Sequence, residues 1–246
     1  MFPLAVLSDI HGNSFALEAV LEDLYKRGIK RMVNLGDTLW GPIDPKGTAN
    51  LLIPLNMMTV RGNQDRQVYE ETDPNNHTLN YIKESLGVKE IDWLKSLKPI
   101  ETIDDQIIMF HGTFEDDHQY FLHDFTGEQL KLRSNQKIET LLNGRREKLI
   151  LCGHDHLPNL VRLESGKIVL NPGSVGMPAY TDDIPVDHYI ENGNPYARYS
   201  VIHQNDNDDY WIEQIIIKYD YLTASAKALK NNREDWAYWL KTGRAH

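Results

Sequence analysis

The sequence alternates short apolar runs with polar blocks that contain glycine, and each of these blocks follows directly on an apolar run. Runs of this length are typical of buried strands, and several of the stretches between them carry apolar residues at helical spacing. The runs that precede the polar blocks span residues 4–7, 32–35, 57–60, 107–110 and 149–152. In an α/β sheet, the loops that follow parallel strands gather at one edge. We therefore expect the polar blocks to lie side by side in the folded chain.

Helices are predicted between these strands and at the end of the chain. Ser14 can cap a helix that Gly28 stops. Residues 75–98 and roughly 126–142 are expected to be helical, and a closing helix is expected over residues 223–240. The second half of the chain is otherwise predicted to consist mostly of strands.

The length and composition allow a packed enzyme. The chain has 246 residues, of which 41% are hydrophobic, so it can bury a sizeable sheet core. We predict one domain over residues 1–246, with small cap elements around residues 66–98 and 115–145. The sequence does not predict an oligomeric state.

The charge balance narrows the choice of partners. The formal net charge is -10, which argues against a broad basic surface that grips extended nucleic acid. Bound divalent cations would reverse the potential inside an acidic cleft, so a small phosphorylated substrate remains compatible with this charge. No apolar stretch approaches the length of a membrane span, and the N-terminus lacks the basic start of a signal peptide, so we expect a cytoplasmic protein with no membrane partner.

Each polar block is weak evidence by itself. A Gly-Asp or Gly-Asn pair is usually a turn, because glycine accepts positive φ and Asp or Asn bonds to its own backbone. Two blocks are more specific, since their i, i+2 spacing lets both side chains reach one ion. These are Asp9 with His11 and His154 with His156.

Together the blocks supply imidazoles, carboxylates and an amide but no thiolate. Such a set suits Mn, Fe, Zn, Co or Ni. A pair of ions needs a carboxylate that bridges them, and Asp37 is the candidate. The predicted metal ligands are Asp9, His11, Asp37, Asn63, His111, His154 and His156.

In this order the blocks resemble the motifs of the calcineurin-like metallophosphoesterase superfamily, which read D-x-H, G-D, G-N-H-[DE], H-G and G-H-x-H. The segments Leu35-Gly36-Asp37 and Asn171-Pro172-Gly173-Ser174 are similar to its small bacterial and archaeal branch, which is described as phosphodiesterase-like or diadenosine-tetraphosphatase-like. The resemblance implies a four-layer αββα sandwich, in which two mixed sheets are flanked by helices.

The resemblance also implies how the ligands divide between two ions. One ion would take Asp9, His11, Asp37 and His156, and the other Asp37, Asn63, His111 and His154. The catalytic residues would be Asp37, Asn63 and His111. Hydrolysis would proceed by attack of a metal-activated hydroxide on phosphorus.

The chain departs from the family pattern at Gln64, where the family has a histidine that contacts phosphate and can protonate the leaving group. Glutamine cannot transfer a proton, but its amide can donate a hydrogen bond to a phosphate oxygen. The substrate contacts are expected from Asn13, Asn63, Gln64, Arg66 and His123. Each of three has an alternative role. Asn13 could instead cap a helix, and Arg66 and His123 could be solvated side chains on a loop or helix.

Asp65 has two alternatives of its own: it orients a ligand histidine, or it forms a surface salt bridge. Asn171 to Ser174 are expected to form a turn that supports the site.

The expected function is hydrolysis of phosphodiester or phosphoanhydride bonds, with (di)nucleoside polyphosphates as a candidate substrate. Because Gln64 cannot act as an acid, leaving groups that need little protonation are favoured. Two alternatives stay open: a phosphomonoesterase or protein phosphatase, and a weakly catalytic scaffold that binds metal and nucleotides.

Overall fold

The computed structural model describes residues 2–126, 129–205 and 209–246. Within these residues the chain forms strands and helices in the following order. The strands are β1 (Leu4–Leu7), β2 (Arg31–Asn34), β3 (Met58–Thr59), β4 (Ile100–Ile103), β5 (Ile107–Phe110), β6 (His123–Thr126), β7 (Gln129–Leu132), β8 (Leu149–Leu151), β9 (Asn159–Arg162), β10 (Ile168–Asn171), β11 (Ala179–Asp182), β12 (His188–Glu191), β13 (Ala197–Gln204) and β14 (Tyr210–Ile217). The helices are α1 (Ser14–Lys26), α2 (Pro45–Leu52), α3 (Asn63–Glu70), α4 (His77–Ser85), α5 (Val88–Ser96), α6 (Asn135–Leu142), α7 (Tyr221–Lys230) and α8 (Glu234–Thr242), and a short 3₁₀ helix spans Ile53–Leu55.

Two five-stranded mixed sheets form the centre of the molecule. The first has the order β14-β13-β1-β2-β3. Strands β1, β2 and β3 are parallel to one another, and β13 runs antiparallel to both of its neighbours, β1 and β14. The second has the order β4-β5-β8-β10-β9, with β5, β8 and β10 parallel. Two hairpins, β6-β7 and β11-β12, stand outside these sheets.

The residues of β1 show why the sheets stack. Leu4 and Val6 pack into a core between the two sheets, together with Met109 and Leu151 of the second sheet. Alternate residues of a strand point to opposite faces, so Ala5 and Leu7 pack on the other side, against the helices. The outer face of the second sheet is covered in the same way by α6. These layers confirm the predicted αββα sandwich.

Local signals set the helix boundaries. The side chain of Asn13 accepts a hydrogen bond from the Ala16 amide and so caps α1. The helical stretch predicted for residues 75–98 is divided into α4 and α5, because Gly87 begins a new helix whose Glu90 carboxylate accepts from the Gly87 amide at 2.8 Å.

The prediction of a helix over residues 126–142 is wrong in its first part. Strands β6 and β7 pair there as an antiparallel hairpin, and α6 begins only at Asn135, after Ser134 caps it. Phe125 and Leu130 pack on the large helical core, so contacts distant in sequence determine this hairpin. Residues 127 and 128 of the predicted helix lie outside the described residues.

The closing helix is also divided. Helix α7 ends at Lys230 and α8 begins at Glu234, and Asn232 between them has a positive φ of 59°. This break allows α8 to pack back on α7 and brings its first turn toward the strand ends of the first sheet. In the part of the chain that the structure covers, no helix has the length and apolar character needed to cross a membrane.

Candidate metal centre

The loops after β1 and β2 are joined by hydrogen bonds between their backbones. The amides of Asp9, His11 and Gly12 donate to the carbonyls of Gly36, Asp37 and Thr38 at distances of 2.9 to 3.0 Å. In the second sheet, the Gly153 amide donates to the His111 carbonyl at 2.8 Å. The polar blocks after neighbouring parallel strands therefore lie side by side, as the order of the strands requires.

Most of the predicted ligands have an unusual backbone conformation. Five of them have positive φ, a region that residues other than glycine rarely adopt. The values are 55° at Asp9, 52° at His11, 53° at Asp37, 74° at His154 and 57° at His156. Such conformations persist only where surrounding contacts hold them, and they concentrate at functional sites.

Asp65 supplies several of these contacts. Its buried carboxylate accepts from the amides of Asp37, Thr38 and Gly62 at 2.8 to 3.0 Å and from the Thr38 hydroxyl at 2.6 Å. Among the residues that the structure describes, Asp65 has no hydrogen bond to a histidine and no ion pair, so neither of its two predicted roles is observed. Instead, Asp65 fixes the loop of Asp37 to the start of α3.

Close packing explains two of the motif glycines. A Cβ atom at Gly62 would lie 2.0 Å from Asp37 Oδ1, and one at Gly153 would lie 2.2 Å from Ser8 Oγ and 3.1 Å from Asp9 Oδ2. Glycine at both positions lets the backbone approach the two carboxylates.

The first group of ligand atoms surrounds Asp9. The Nε2 atoms of His156 and His11 lie 3.2 and 3.8 Å from Asp9 Oδ1. The two imidazole Nε2 atoms lie only 3.1 Å from each other. Ligand atoms of these three residues all lie within 4.8 Å of one another, close enough to hold one ion.

The second group surrounds Asp37 and is formed by His111 and His154, again within 4.8 Å. His111 Nε2 lies 3.4 Å from Asp37 Oδ2 and 3.1 Å from Asn63 Oδ1. Asp37 Oδ2 also lies 4.0 Å from His11 Nε2, so this carboxylate lies between the two groups.

Hydrogen bonds fix which histidine nitrogens face the site. His111 Nδ1 donates to the Leu35 carbonyl, His156 Nδ1 to the Met177 carbonyl and His154 Nε2 to the His118 carbonyl, at 2.7 to 2.9 Å. Because a carbonyl only accepts, the opposite nitrogen of each neutral ring presents a lone pair to the site, the arrangement found in metal-binding histidines.

The buried acceptors show that cations fit this site. Asp9 Oδ1 is buried and has no hydrogen-bond partner among the described residues, although the Nε2 atoms of His156, His11 and His111 lie 3.2 to 3.9 Å from it. Concentrating acceptors without donors is costly unless a positive charge compensates them. The residues present therefore suit metal ions of the type that binds mixed nitrogen and oxygen ligands.

In the metal-free protein, bound protons partly compensate the negative charge of the Asp9 and Asp37 carboxylates. Burial opposes protonation of His111, but the carboxylates of Asp37 and Asp9 raise its pKa to about 10. Burial and the neighbouring imidazoles lower the pKa of His11 and of His154 to about 4. Burial disfavours ionisation of Asp37, yet the nearby imidazoles of His111 and His11 lower its pKa to about 2. In the metal-free site, the His111 imidazolium thus compensates part of the negative charge of Asp37 and Asp9.

A cleft of about 520 Å³ leads to these residues, and His11, Asp37, Asn63, His154 and His156 line it. Gln64, which belongs to the third motif block, also lines it. Much of the remaining wall comes from residues that the motifs do not include. They are Trp40, Asn76, Met177, Tyr180, Thr181, Asp182, Asp183, Arg233, Trp236 and Trp239. Trp40 and Tyr180 are noticeable in the sequence as aromatic residues beside proline-containing loops. Arg233 and the tryptophans of α8 carry no such signal.

The residues predicted to contact substrate differ in their surroundings. Asn63 and Gln64 line the cleft. Asn13 is fully buried, caps α1 and donates to the Gly176 carbonyl and the Tyr219 hydroxyl.

Arg66 and His123 are bound to carboxylates instead. Arg66 pairs with Asp117 and Glu70, and His123 pairs with Asp155 at 2.6 Å. Their contact with substrate, like that of Asn13, stays a prediction and would require a change of partners.

The turn after β10 supports the ligand loops. Asn171 Nδ2 donates to the Gly153 carbonyl and to Asp155 Oδ1, and Ser174 Oγ donates to the Asp9 carbonyl at 2.8 Å. The amide of Gly176 also donates to that carbonyl. These contacts hold Asp9 and the loop of His154 in place from behind.

A family model described as the calcineurin-like phosphoesterase superfamily domain matches residues 2–188. The chain belongs to this superfamily. The match covers all five motif blocks, and it confirms the family expected from them. It also confirms the expected class of enzyme, a hydrolase of phosphate esters.

The similarity to a related protein covers nearly the whole length of this chain. An uncharacterized protein from Methanocaldococcus jannaschii is 29% identical over 253 residues, which cover 95% of this chain and 94% of the relative.

Two solved structures share its fold at a TM-score of 0.76 and 20% identity. One is a metallophosphoesterase from Sphaerobacter thermophilus, with 99% of this chain and 100% of that chain covered. The other is a hypothetical protein from Pyrococcus horikoshii, with 100% of both chains covered.

We predict that metal binding releases protons and tightens as the pH rises. His111 is protonated in the metal-free protein up to a pKa of about 10, so a metal ion must displace that proton. Below this pKa the affinity should rise by about tenfold per pH unit through His111 alone. Calorimetric Mn²⁺ titrations at pH 6, 7 and 8, in buffers of different ionisation enthalpy, measure the affinity and the number of protons released. An affinity that does not change with pH, without proton release, would contradict this assignment.

We predict that Asp65→Asn weakens metal binding and the stability of the fold, although Asp65 is not itself a predicted metal ligand. The amide cannot accept the four hydrogen bonds, so unfolding in urea should require about 2 kcal/mol less free energy. Mn²⁺ affinity should fall by about 10- to 100-fold. Asp92→Asn, an exposed carboxylate on α5, is the matched control and should change neither quantity. Equal behaviour of the two variants would mean that Asp65 does not support the ligands.

Proposed function

We propose that the protein is a dinuclear-metal-dependent phosphoesterase that hydrolyses phosphodiester or phosphoanhydride bonds, with (di)nucleoside polyphosphates as its substrate class. The observation that carries this proposal is the pair of ligand groups that meet at Asp37 inside one cleft. Family membership supports divalent metals and small phosphorylated substrates.

The ligands would divide as their positions suggest. Asp9, His11 and His156 would hold one ion, and His111, His154 and Asn63 the other, with Asp37 shared. When bound, the ions supply Lewis acidity that activates water and neutralises charge on the phosphate. The carbonyls behind His111, His154 and His156 keep the three rings in the orientation that this binding needs.

Gln64 takes part in binding rather than in proton transfer. Its backbone amide donates to Asp37 Oδ1 at 2.9 Å, which fixes the carboxylate, and its side chain lines the cleft. Gln64 Oε1 is buried without a hydrogen-bond partner among the described residues. The side-chain amide would donate to a phosphate oxygen and orient the substrate, while the leaving group would depart without an acid from this position.

A cap would close part of the cleft. Asn76, the residue that caps α4, lines the cleft, and α4 packs against α2 and α3. We propose that this segment, within residues 66–98, limits the size of the group attached to the phosphate.

A catalytically weak scaffold that binds metal and nucleotides is the second candidate, and Gln64 is the observation that favours it. Hydrolysis of bis(p-nitrophenyl) phosphate by the Mn²⁺-loaded protein distinguishes the two. Under the first proposal, kcat/KM falls by about a hundredfold or more in Asp37→Asn and His111→Ala, because each substitution removes a ligand. Glu164→Gln, which changes an exposed carboxylate in the turn between β9 and β10 away from the cleft, should retain the wild-type rate. Equal residual rates in all four proteins would favour the scaffold.

The leaving group tests the role of Gln64 separately. We predict that Gln64→His raises kcat/KM for a methyl p-nitrophenyl diester little but increases it for a dialkyl diester by about 10- to 100-fold. The alkyl leaving group gains more from general-acid assistance than the nitrophenolate does. Gln64→Asn, which cannot donate a proton as an acid either, controls for the change in shape. An equal gain for both substrates in Gln64→His would show that the absence of a general acid at position 64 does not limit hydrolysis of the dialkyl diester.

A further inference from the structure

The cleft has a cationic side chain far in sequence from the five motifs. Among the described residues that line the cleft, Arg233 is the single arginine or lysine. The acidic side chains on its wall are those of Asp37, Asp182 and Asp183. A second phosphate attached to a group at the metal centre would be repelled by Asp182 and Asp183 and attracted by Arg233.

Arg233 lies on the same side of the cleft as the first ligand group. Its Cζ atom is 5.5 Å from the centre of the Trp236 ring, and that ring packs edge-on against His11 with centroids 5.9 Å apart. A single tryptophan therefore separates the guanidinium from a predicted metal ligand. An anhydride has a second phosphate to direct toward this guanidinium, whereas a monoester has no second charged group to place there.

The guanidinium is fixed before any ligand arrives. Nε and Nη2 donate to Asp235 at 2.9 and 2.6 Å, and Nη1 donates to Thr78 Oγ1 at 2.6 Å. A guanidinium has five N–H groups, so these contacts leave two of them for a ligand. Because these contacts hold the guanidinium in place, little conformational freedom would be lost when its two remaining N–H groups, one on Nη1 and one on Nη2, bind a phosphate.

We propose that Arg233 binds the second phosphate of a substrate with linked phosphates and so makes the enzyme selective for phosphoanhydrides. This inference rests on the proposed phosphoesterase function. Water forms a bond to the phosphorus at the metal centre, the bond from that phosphorus to the bridging oxygen breaks, and the bridging oxygen keeps the electron pair. One proton of the water passes to solvent, and Arg233 stabilises the charge on the departing phosphate.

This role also fits Gln64. A phosphate is a stable anion when it leaves, so the reaction needs charge compensation more than it needs a proton. Arg233 provides the charge that a protonated histidine at position 64 would otherwise contribute.

A pair of ligands that differ by one phosphate tests the proposal. Calorimetry on the Mn²⁺-loaded protein would measure binding of AMP and of α,β-methylene-ADP, which cannot be hydrolysed at its methylene bridge. We expect the wild type to bind the diphosphate analogue about tenfold or more tightly than AMP, as a charge-assisted fork allows. Arg233→Ala should lose most of this preference with little change in AMP binding, and Arg233→Lys should retain part of it.

Lys241→Ala is the matched control, because it removes an exposed cation of the same helix, α8, that does not line the cleft. Its preference should stay within about threefold of wild type. An unchanged preference in Arg233→Ala would overturn the proposal, and so would an equal loss in Lys241→Ala. Parallel assays with bis(p-nitrophenyl) phosphate and with a dinucleoside tetraphosphate keep the two hypotheses apart. A wild type that hydrolyses neither substrate refutes the proposed function, whereas the binding ratio tests Arg233 by itself.

Discussion

The positive φ of the ligand residues is the constraint on which the site depends. Five ligands in the left-handed region cost of order 1 kcal/mol or more each, which the chain must offset elsewhere. Hydrogen bonds between the loops of Asp9 and Asp37, and the four bonds to Asp65, hold this geometry. The stacked sheets supply the rigid frame, because their parallel strands end at the loops that carry the ligands.

Charge imposes a second cost at the same place. Asp9 and Asp37 are buried, and the nitrogens that His154 and His156 turn toward the site carry lone pairs, because the opposite nitrogens donate to carbonyls. Removing these groups from water without compensation destabilises the fold, so the metal-free protein carries both strain and unpaired acceptors. Cations relieve the electrostatic part of this cost, which couples metal binding to stability.

The sequence predicts the strand ends and the ligand groups because both follow from local signals. Short apolar runs define β1, β5 and β8, and the polar residues after them need only the parallel order of the strands to meet. The hairpin of β6 and β7 depends on packing of Phe125 and Leu130 against residues distant in sequence. The spacing of apolar residues therefore predicted a helix there, which is wrong. Arg233 enters the cleft because the chain breaks near Asn232 and α8 turns back, and neither event leaves a motif.

At the metal centre, the Asp37 carboxylate lies between two ligand groups. Anomalous diffraction at the manganese edge, from crystals of Mn²⁺-loaded protein, tests whether it joins two ions. We predict two separate peaks, one against Asp9, His11 and His156 and one against Asn63, His111 and His154, with the Asp37 carboxylate touching both. A single peak, or peaks that do not contact Asp37, would contradict it.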